Sequence, residues 1–355
     1  MNVFVIFTGT DPASSAGGIG VVMGGYLGAA HNAGIPHVCI PTYRPGSAFG
    51  RFFLWLVRLP RLVSAVRRAR KEYDKVVVYS HVGAGLSLLR EGVLQAVARL
   101  FGADTIHHSH CPEAQEYLEH GLKKRLFALA LSPADKVVVL TQFWKDFLES
   151  KGIRKPIEVI HNPLLPELGR RAQGPSERPQ RAETTVLALS RLARGKGVDV
   201  AVAAAAYLPE GMRLVVAGDG AERENLERMA RDLGVLDRVE FRGWVSGEAK
   251  AALLEEADIF CLPSTMDAYP MTFVEAMSYG LPVVGVRYAG IPDIVSHGET
   301  GLLVDRPDPE LVAEALSRLA DPQTRWRMGA AGQRRILEIS SPEQVGRALT
   351  RVVGP

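Results

Sequence analysis

Short runs rich in Val, Ile and Leu alternate with helical segments along the whole chain. This alternation is typical of parallel sheets that are covered by helices on both faces. We therefore predict an α/β fold with two Rossmann-like doubly wound domains that face each other across a cleft. The predicted strands cover 3–9, 37–43, 75–81, 104–110, 135–141 and 157–162 in the first domain, and 185–192, 213–220, 239–245, 258–264, 282–288 and 301–305 in the second.

The chain length of 355 residues suits two domains, because single cores stop growing at roughly 250–300 residues. Residues 164–183 are rich in Pro, Gly and Arg and lack an apolar period, which is typical of a linker. We predict an N-terminal domain over 1–163, a C-terminal domain over 184–340, and a helix over 341–355 that returns to the N-terminal domain.

The composition is that of an ordinary globular protein, with 47% apolar and 23% charged residues. The three cysteines, Cys39, Cys111 and Cys261, form no C-x-x-C pair, which argues against a disulfide framework or a zinc ribbon. The N-terminus carries no basic leader, and no apolar stretch approaches the roughly 20 residues that cross a bilayer. We expect a cytoplasmic protein with no nucleic-acid partner.

Residues 44–75 combine nine basic residues with aromatic and leucine side chains at helical spacing. This pattern is typical of an interfacial helix that docks on an anionic membrane surface, here the inner face of the membrane. An amphipathic surface helix with a solvated charged face has the same pattern, and its apolar side would then face the core. The sequence leaves both interpretations open.

A long loop after the first strand ends in Gly17, Gly18 and Gly20, which precede a helix. Glycine lets the backbone approach a ligand, and a helix N-terminus offers free N–H groups to an anion. We predict that a phosphate or a developing negative charge binds here, although such turns also use glycine for packing. G-x-G-x-x-G is absent and no acidic residue ends the second strand, which argues against a dinucleotide-dependent oxidoreductase.

The second domain opens with a strand that is followed by Arg191 and Lys196 in a glycine-containing turn. Two cations at a strand-to-helix turn suit a diphosphate, because arginine offers a planar fork and lysine a point charge. We predict a diphosphate clamp, with solvated surface charge as the alternative.

The most specific motif covers residues 262–304. Its residues are, in order, Asp267, seven intervening residues, Glu275-Ala276, Gly280, Pro282-Val283-Val284, Gly290-Ile291-Pro292 and Thr300-Gly301. This order resembles the signature of the retaining nucleotide-sugar glycosyltransferases of family four, which have the two-domain GT-B fold. The glycine loop, the cation pair and the "VVAGDG" strand end recur in the family's order, so the resemblance extends over the whole chain.

The resemblance implies donor-binding roles for this motif. Asp267 stands where the family's first acid touches sugar hydroxyls, and Glu275 can accept two hydrogen bonds from a ribose diol. The helix N-terminus beside it suits the donor's distal phosphate, through the backbone N–H groups of Met271, Thr272 and Phe273.

The nucleotide base is expected against two later strand ends, where Gly218, Gly220 and Val245 let a flat ring approach. No side chain there selects the base, and we expect a UDP- or GDP-linked donor. The chain contains no D-x-D pair to hold a divalent ion, so neutralising the leaving group falls to Arg191, Lys196 and helix dipoles. We predict metal-independent transfer without a cofactor.

The stretch "HHSHC", residues 107–111, gathers three histidines and a cysteine at a strand end. Side chains alternate along a strand, so His108 and His110 face one way while His107 and Cys111 face the other. This alternation leaves at most two metal ligands on one face of the strand.

A structural metal site takes four ligands, so these two histidines would need remote partners such as Glu113 or Glu116, and we predict no metal. The stretch is similar to the family's H-S-H variant, which implies that His108 hydrogen-bonds the donor sugar near its 6-hydroxyl. His110 is a second candidate, directed toward the cleft or the acceptor. A structural role for all three histidines is the alternative.

We therefore expect a retaining glycosyltransferase that moves a hexose from a nucleoside-diphosphate sugar to an acceptor hydroxyl. The acceptor, a glycan or a lipid-linked molecule, is expected on the N-terminal domain, as in the assembly of a bacterial surface polysaccharide or glycolipid. Two alternatives stay open. One is a GT-B nucleotide-sugar epimerase that needs no acceptor, and the other is a non-catalytic peripheral membrane protein that binds sugar nucleotides without turnover.

Overall fold

The computed structural model describes residues 2–13, 18–44, 48–119, 121–174, 181–267 and 269–354, with residue 18 and residues 48–56 described by their backbone alone. Contacts divide the chain into two compact units. Unit 1 comprises Met1–Leu165 and Ile339–Pro355, and unit 2 comprises Pro166–Glu338.

Unit 1 is built on a six-stranded parallel sheet. Its strands are β1 (Val3–Thr10), β2 (His37–Tyr43), β3 (Lys75–Val82), β4 (Asp104–Ser109), β5 (Lys136–Val139) and β6 (Ile157–Val159). The order across the sheet is β2-β1-β3-β4-β5-β6. The order reverses between β1 and β3, and doubly wound sheets bind their ligands beyond the carboxyl ends of the strands at such a switch point.

The helices of unit 1 connect these strands in turn. They are α1 (Gly18–Asn32), α2 (Ala48–Glu72), α3 (Leu86–Leu100), α4 (Ala114–Glu119), α5 (Gly121–Leu131), α6 (Gln142–Ser150) and, from the C-terminal segment, α15 (Pro342–Val353). Every residue of β3 after Lys75 is buried, as expected for a strand with helices on both faces of its sheet.

The C-terminal helix α15 belongs to unit 1 and packs against α1. Ser341 caps its start, where its side chain accepts a hydrogen bond from the Gln344 N–H at 3.3 Å. At its end, Lys75 Nζ donates to the Gly354 carbonyl at 2.7 Å and Lys136 Nζ donates to the Val352 carbonyl at 2.9 Å. Because the last carbonyls of a helix lack partners within it and carry partial negative charge, these two lysines fix the helix end beside β3 and β5.

Unit 2 contains a second six-stranded parallel sheet. Its strands are β7 (Thr184–Leu189), β8 (Met212–Ala217), β9 (Val239–Gly243), β10 (Ile259–Cys261), β11 (Val283–Val286) and β12 (Gly301–Val304). The order is β12-β11-β10-β7-β8-β9, which is the Rossmann order, and its switch point lies between β7 and β10.

The helices of unit 2 cover both faces of this sheet in the doubly wound pattern. They are α7 (Pro166–Ala172), α8 (Val198–Ala204), α9 (Arg223–Asp232), α10 (Gly247–Glu256), α11 (Met271–Ser278), α12 (Ile291–Ile294), α13 (Pro309–Arg318) and α14 (Pro322–Ser340), with a 3-10 turn at Ala205–Tyr207. The segment predicted as a linker, 164–183, contains α7. Residues 175–180 of this segment lie outside the described residues.

The predicted α/β fold of two doubly wound sheets is confirmed, and each of the twelve predicted strands is present. Several strands end earlier than predicted: β10 ends at Cys261, whereas the prediction extended to residue 264. The residues beyond such ends have left the sheet and form the loops that carry the polar groups described below. Within the described residues, no helix combines the length and the apolar character that a membrane crossing requires.

Candidate functional site

The switch point of unit 2 is shaped by two loops that follow β7 and β10. The Thr265 N–H donates to the Gly195 carbonyl at 2.9 Å, which ties the loop after β10 to the turn before α8. Gly197, at a φ of 77°, lies so close to this loop that a Cβ atom would stand 2.2 Å from the Pro263 carbonyl oxygen. Only glycine combines this conformation with this approach. The two loops therefore form one surface at the place where a doubly wound sheet binds its ligand.

Lys196 and Asp267 meet on this surface. Lys196 Nζ lies 2.5 Å from Asp267 Oδ1, and Ser264 Oγ donates to Asp267 Oδ2 at 2.6 Å. Both side chains of the ion pair are more than four-fifths buried, with 16% and 18% of their surface exposed. The pair positions an ammonium group and a carboxylate side by side without a net charge, so that an arriving phosphate can recruit the ammonium while the carboxylate remains free to accept hydroxyl donors.

The neighbouring strand ends are held together by glycine as well. Gly218, directly after β8, has a φ of 145°, and a Cβ atom there would stand 1.8 Å from the Ser190 carbonyl oxygen. Its N–H donates to the Gly243 carbonyl at 2.7 Å. Arg191 is exposed after β7, and Val245 is half-buried after β9. The ends of β7, β8 and β9 therefore lie side by side, at the place where the base was predicted.

Helix α11 carries the second acid of the motif. It begins at Met271, and Thr272 and Glu275 lie three residues apart on its partly exposed face. Glu275 Oε1 accepts a hydrogen bond from Lys250 Nζ of α10 at 2.7 Å. Sequence reasoning missed Lys250, because the exposed positions of α10 show no pattern that marks one lysine as a partner.

The prediction for Phe273 needs a correction. Its N–H donates to the Pro270 carbonyl at 3.0 Å, and its side chain is fully buried. This amide is used within the first turn of α11, so the N–H groups of Met271 and Thr272 are the better candidates for a phosphate.

The glycines of the first predicted anion site lie at the start of α1. Gly18 is the first residue of that helix and Gly20 is the third, within the first turn whose N–H groups lack helical partners. Gly17 lies outside the described residues.

The predicted histidine group lies in the core of unit 1 and has an additional member. His108 and His110 lie on the same side of β4, with ring centroids 4.4 Å apart. The third ring is His81 of β3, which pairs in register with His108 across the two parallel strands. His81, His107 and His108 are at most 1% exposed, and His110 is 8% exposed.

These histidines do have a neighbour that is remote in the sequence, but it is a histidine and not one of the acidic residues that the sequence suggested. The missing neighbour is His81, and strand register supplies it rather than proximity in the sequence. Glu113 instead accepts a hydrogen bond from the Cys111 thiol at 3.7 Å. His108, predicted to reach the donor sugar, has its Nδ1 3.0 Å from Tyr79 Oη. The sequence predicts the strand that ends with Tyr79 and His81, so these two residues could have been considered. It does not predict that this strand pairs with β4.

Burial lowers the pKa of every imidazole in this group, because a charged ring loses its hydration in the core. Burial lowers the pKa of His107 and the pKa of His110 to about 3. For His107, the neighbouring His110 is a second cause of the lowered pKa. The pKa of His81 and the pKa of His108 also lie well below the ordinary value, through burial first and then through the neighbouring His110. The rings are therefore neutral at pH 7.

A His107→Leu variant is expected to resist acid better than the wild type. Both ring nitrogens of His107 are buried without a hydrogen-bond partner among the described groups. Between pH 6.5 and about 3, the unfolded chain binds a proton at His107 that the folded chain does not. The free energy of unfolding therefore falls with decreasing pH in this window, by about 1.4 kcal/mol per pH unit, and leucine removes this loss.

Urea unfolding of unit 1 at a series of pH values from neutral to about 5 measures this effect. At neutral pH the variant should be as stable as the wild type or more stable, because leucine removes two unpaired polar atoms. The control is His31→Gln, at an exposed position of α1. Equal slopes for the wild type and the His107→Leu variant would contradict the prediction.

Two Rossmann-like domains with doubly wound parallel sheets are the architecture of the GT-B class of transferases. Residues 170–335 match the family described as glycosyl transferases group 1, and residues 5–167 match glycosyltransferase family 4.

Individual relatives agree with these matches. A GDP-mannose-dependent alpha-(1-6)-phosphatidylinositol monomannoside mannosyltransferase of Mycolicibacterium smegmatis is 31% identical over 300 residues, which cover 77% of this chain and 75% of that protein. A putative colanic acid biosynthesis glycosyltransferase of Escherichia coli, WcaL, is 28% identical over 232 residues, which cover 62% of this chain and 55% of that protein. The structure of HepE from Anabaena in complex with UDP and glucose has a TM-score of 0.72 and 19% identity, with 98% of each chain covered. The chain belongs to glycosyltransferase family 4 and is a glycosyltransferase.

Proposed function

We propose that this glycosyltransferase moves a hexose from a UDP- or GDP-linked sugar to an acceptor hydroxyl, with retention at the anomeric carbon. The observation that carries the proposal is the Lys196–Asp267 pair at the switch point of unit 2. An ammonium group for the diphosphate and a carboxylate for sugar hydroxyls are the two groups that a nucleotide-sugar donor needs. The relative from M. smegmatis is named for GDP-mannose, and the HepE structure holds UDP and glucose, which supports a donor of this class.

Each donor-binding group then has one task. Lys196 and Arg191 neutralise the diphosphate, and the N–H groups of Met271 and Thr272 bind its distal phosphate. Glu275 accepts hydrogen bonds from the ribose diol. The base lies against the strand ends at Gly218 and Val245, and Asp267 binds the sugar. The contact between His108 and the sugar rests on the family resemblance alone.

Catalysis in this proposal needs no enzymic nucleophile. The bond between the anomeric carbon and the β-phosphate oxygen breaks while the acceptor oxygen bonds to the same face of the sugar. The acceptor proton passes to the departing phosphate oxygen. The protein contributes positioning and stabilisation of the negative charge that develops on the diphosphate.

A thermal-shift panel of UDP-, GDP- and ADP-sugars tests the donor class, because a ligand that binds the folded state alone raises the melting temperature. We expect specific stabilisation by the UDP or the GDP series, and no stabilisation by any of the three would reject the proposal. Product analysis separates the alternatives: an epimerase releases a free sugar epimer without an acceptor, and a non-catalytic protein binds the donor without turnover.

Turnover is expected to stay unchanged when Mg²⁺ or Mn²⁺ is added to chelator-treated enzyme. These ions prefer oxygen ligands, and in this proposal Lys196, Arg191 and the α11 N-terminus neutralise the diphosphate in their place. The measurement is the initial rate with and without each ion. A strict requirement for either ion would contradict the prediction.

The acceptor is proposed to be a glycan or a lipid-linked molecule of a bacterial surface polysaccharide or glycolipid. Two relatives support this class by their names, since one acts on a phosphatidylinositol mannoside and the other belongs to colanic acid biosynthesis. Unit 1 is the proposed acceptor-binding domain.

A membrane-facing surface on unit 1 fits a lipid-linked acceptor, and α5 is the helix that suits it best. Its leucines Leu122, Leu126 and Leu129 are spaced four and three residues apart, and they are 73%, 43% and 63% exposed. Three consecutive basic residues, Lys123, Lys124 and Arg125, lie among them and are also exposed. An exposed apolar stripe beside a basic patch is the pattern of a helix that lies in an anionic membrane surface.

The sequence had pointed to residues 44–75 instead. In the described part of α2, the apolar side chains Leu62, Val66 and Ala69 belong to the core of unit 1. Its exposed residues are mostly basic, and the exposed apolar side chains there are Val57, at 38%, and Pro60. The aromatic residues 49–55 lie among the side chains that are not described, and their membrane contact stays a prediction.

Reversing the charges of α5 is therefore expected to abolish binding to anionic vesicles, because each basic residue near such a surface contributes about 1 kcal/mol. The variant is Lys123→Glu, Lys124→Glu and Arg125→Glu, measured by vesicle co-sedimentation. The matched variant on α2 is Arg67→Glu, Arg68→Glu and Arg70→Glu, which should retain most of the binding. If the α2 variant loses binding and the α5 variant keeps it, the surface lies on α2. If the wild type does not bind, the membrane proposal fails.

A further inference from the structure

A fully buried carboxylate, Glu91 of α3, connects the carboxyl ends of β1 and β2. Thr8 Oγ1 of β1 donates to Glu91 Oε2 at 2.9 Å, and Thr42 Oγ1 of β2 donates to Glu91 Oε1 at 2.5 Å. A buried charge is costly without a partner of opposite sign. Arg90 provides that partner, because its Nε donates to Glu91 Oε1 at 3.0 Å. The carboxylate therefore fixes one cation at these strand ends.

The guanidinium group of Arg90 is held by two further contacts. Its Nη2 donates to Ser87 Oγ at 3.1 Å, and its Cζ lies 5.2 Å from the centre of the Tyr43 ring. The side chain is 18% exposed. Within the described part of unit 1, Nε and Nη2 donate in these contacts, which leaves the N–H groups of Nη1 for a ligand.

A second ion pair lies beside the first. Asp11 directly follows β1, and its N–H donates to the carbonyl of Tyr43, the last residue of β2, at 2.9 Å. The Asp11 carboxylate pairs with Arg44 Nε. Burial opposes ionisation of this carboxyl, but the Ala13 N–H and the charges of Arg44 and Arg58 outweigh burial, so that its pKa lies below the ordinary value.

Arg58 of α2 is the third arginine at this place, and it lacks the hydrogen-bonded partner that Arg44 and Arg90 have. Its Nε is buried without a hydrogen bond to any described group. Buried polar atoms in native proteins are almost always satisfied, and an arginine keeps its charge in proteins. Among the described groups, three guanidinium cations therefore accompany two carboxylates, and one of the three has an unsatisfied N–H group.

This arrangement suits a phosphate group better than a carboxylate. Doubly wound sheets bind their ligands at the carboxyl ends of the strands, which is where these arginines lie. Arg58 belongs to α2 and Arg90 to α3, so a ligand that binds both must accept hydrogen bonds from two helices. A carboxylate is planar and matches one arginine fork, whereas the tetrahedral oxygens of a phosphate accept from several directions. A phosphodiester carries one negative charge, which equals the excess of arginines over carboxylates.

We propose that Arg58 and Arg90 bind a phosphate group of the acceptor at the carboxyl ends of β1 and β2. The proposal rests on the proposed function, because it takes unit 1 as the acceptor-binding domain, and it names acceptors that contain a phosphodiester as the substrate class. Glu91 holds Arg90 in place for this contact. All of these residues belong to unit 1, whereas Lys196 and the other groups proposed for the donor's diphosphate belong to unit 2.

Thermal unfolding of the whole chain with inorganic phosphate, and with the soluble diester glycerophosphoglycerol, tests the site. Sodium chloride at equal ionic strength is the reference, since salt alone screens charge. We expect both compounds to raise the melting temperature of the wild type. The dissociation constants should weaken at least about tenfold in Arg58→Gln and in Arg90→Gln, as expected for the loss of a hydrogen bond to a charged group. The control is Arg61→Gln, at an exposed position of α2, which should respond as the wild type does.

Arg58→Gln is the decisive variant, because Arg58 Nε makes no hydrogen bond to a described group that the substitution could break. Arg90→Gln removes a partner of the buried Glu91, so circular dichroism checks its fold. An undiminished response in Arg58→Gln would overturn the proposal, and so would an equal loss in Arg61→Gln, which would reduce the effect to net charge. A response to inorganic phosphate without one to the diester would also overturn it, because the site would then serve free phosphate.

The donor site is measured separately, since phosphate can also bind the groups proposed for the diphosphate. In Lys196→Ala the response of the unit 1 site should persist, and its complete loss there would place the bound phosphate in unit 2 and overturn the proposal. The same preparations are tested with the sugar-nucleotide panel. Stabilisation by a nucleotide sugar without a phosphate response at Arg58 would reject this site and leave the proposed function standing, whereas the absence of both would reject both.

Discussion

The Lys196→Ala variant is expected to turn over its nucleotide-sugar donor about 10²–10³-fold more slowly than the wild-type enzyme, which is the usual loss when one charge-stabilising group is removed. Lys196 lies at the switch point of unit 2, and Asp267 and Ser264 hold its position from the neighbouring loop. In this proposal its ammonium group lies at the switch point before the donor arrives, where a phosphate can recruit it from Asp267 and where it meets the charge that develops on the leaving diphosphate.

Arg194 provides the matched control, because it lies in the same turn and carries the same charge. Its side chain is 90% exposed and pairs with Glu222 at 3.4 Å. Arg194→Ala should keep the turnover near that of the wild type. Wild-type turnover in the Lys196→Ala enzyme would reject the diphosphate clamp. Equal losses of turnover in both variants would show that only the change in net charge matters.

The unpaired Asp267 carboxylate in Lys196→Ala calls for one more variant. Because a buried charge without a partner disturbs its surroundings, part of the loss could come from Asp267 rather than from the missing ammonium. The double variant Lys196→Ala, Asp267→Asn removes that charge. If Lys196 acts on the diphosphate, the double variant stays slower than Asp267→Asn alone, the variant that measures what Asp267 itself contributes by binding the sugar. A recovery of turnover would assign the loss to the stray carboxylate.

The Glu275→Gln variant is expected to bind the donor nucleotide about 10- to 100-fold more weakly. A carboxylate can accept both hydroxyl hydrogens of a ribose diol, and a hydrogen bond to a charged group contributes about 1.5–3 kcal/mol. Glutamine keeps the shape of the side chain on α11 but replaces one accepting oxygen with a donor. Calorimetry with UDP and GDP, compared with the isolated nucleobases, shows whether the lost contact is to the ribose.

Lys250 allows the structural role of Glu275 to be measured separately. If Glu275 serves only to join α11 to α10 through Lys250, then Lys250→Met should weaken nucleotide binding as much as Glu275→Gln does. If Glu275 binds the ribose, Lys250→Met leaves the carboxylate in place and the loss is much smaller. Equal losses in the two variants would contradict the ribose assignment.

Much of the fold follows from the sequence, because β-branched runs separated by helices have few other solutions. Lys196 and Asp267 were each predicted to bind the donor from a loop that follows a strand of the second domain. Their direct pairing was not predictable, because it depends on how the turn at Gly197 packs against the Pro263 carbonyl. Strand order and loop packing are tertiary properties, and a local pattern of residues does not contain them.

The histidines and the helix proposed to face the membrane show the same limit of sequence-based prediction. His81 was missed because only the register of β3 and β4 places it opposite His108. The sequence pointed to residues 44–75, which include α2, because a pattern of apolar and basic residues does not say which side of a helix meets the core. In α2 that side is buried, whereas in α5 the leucines at 122, 126 and 129 are left in solvent.

The return of α15 to unit 1 has a consequence for the order in which the chain folds during synthesis. Unit 2 is continuous in sequence, whereas unit 1 receives its last helix only after all of unit 2 has been translated. The amines of Lys75 and Lys136 can form their hydrogen bonds to the end of that helix only after unit 2 has been translated. The domain that is translated first is therefore the last to complete its packing, and until then the face of α1 that packs against α15 stays uncovered.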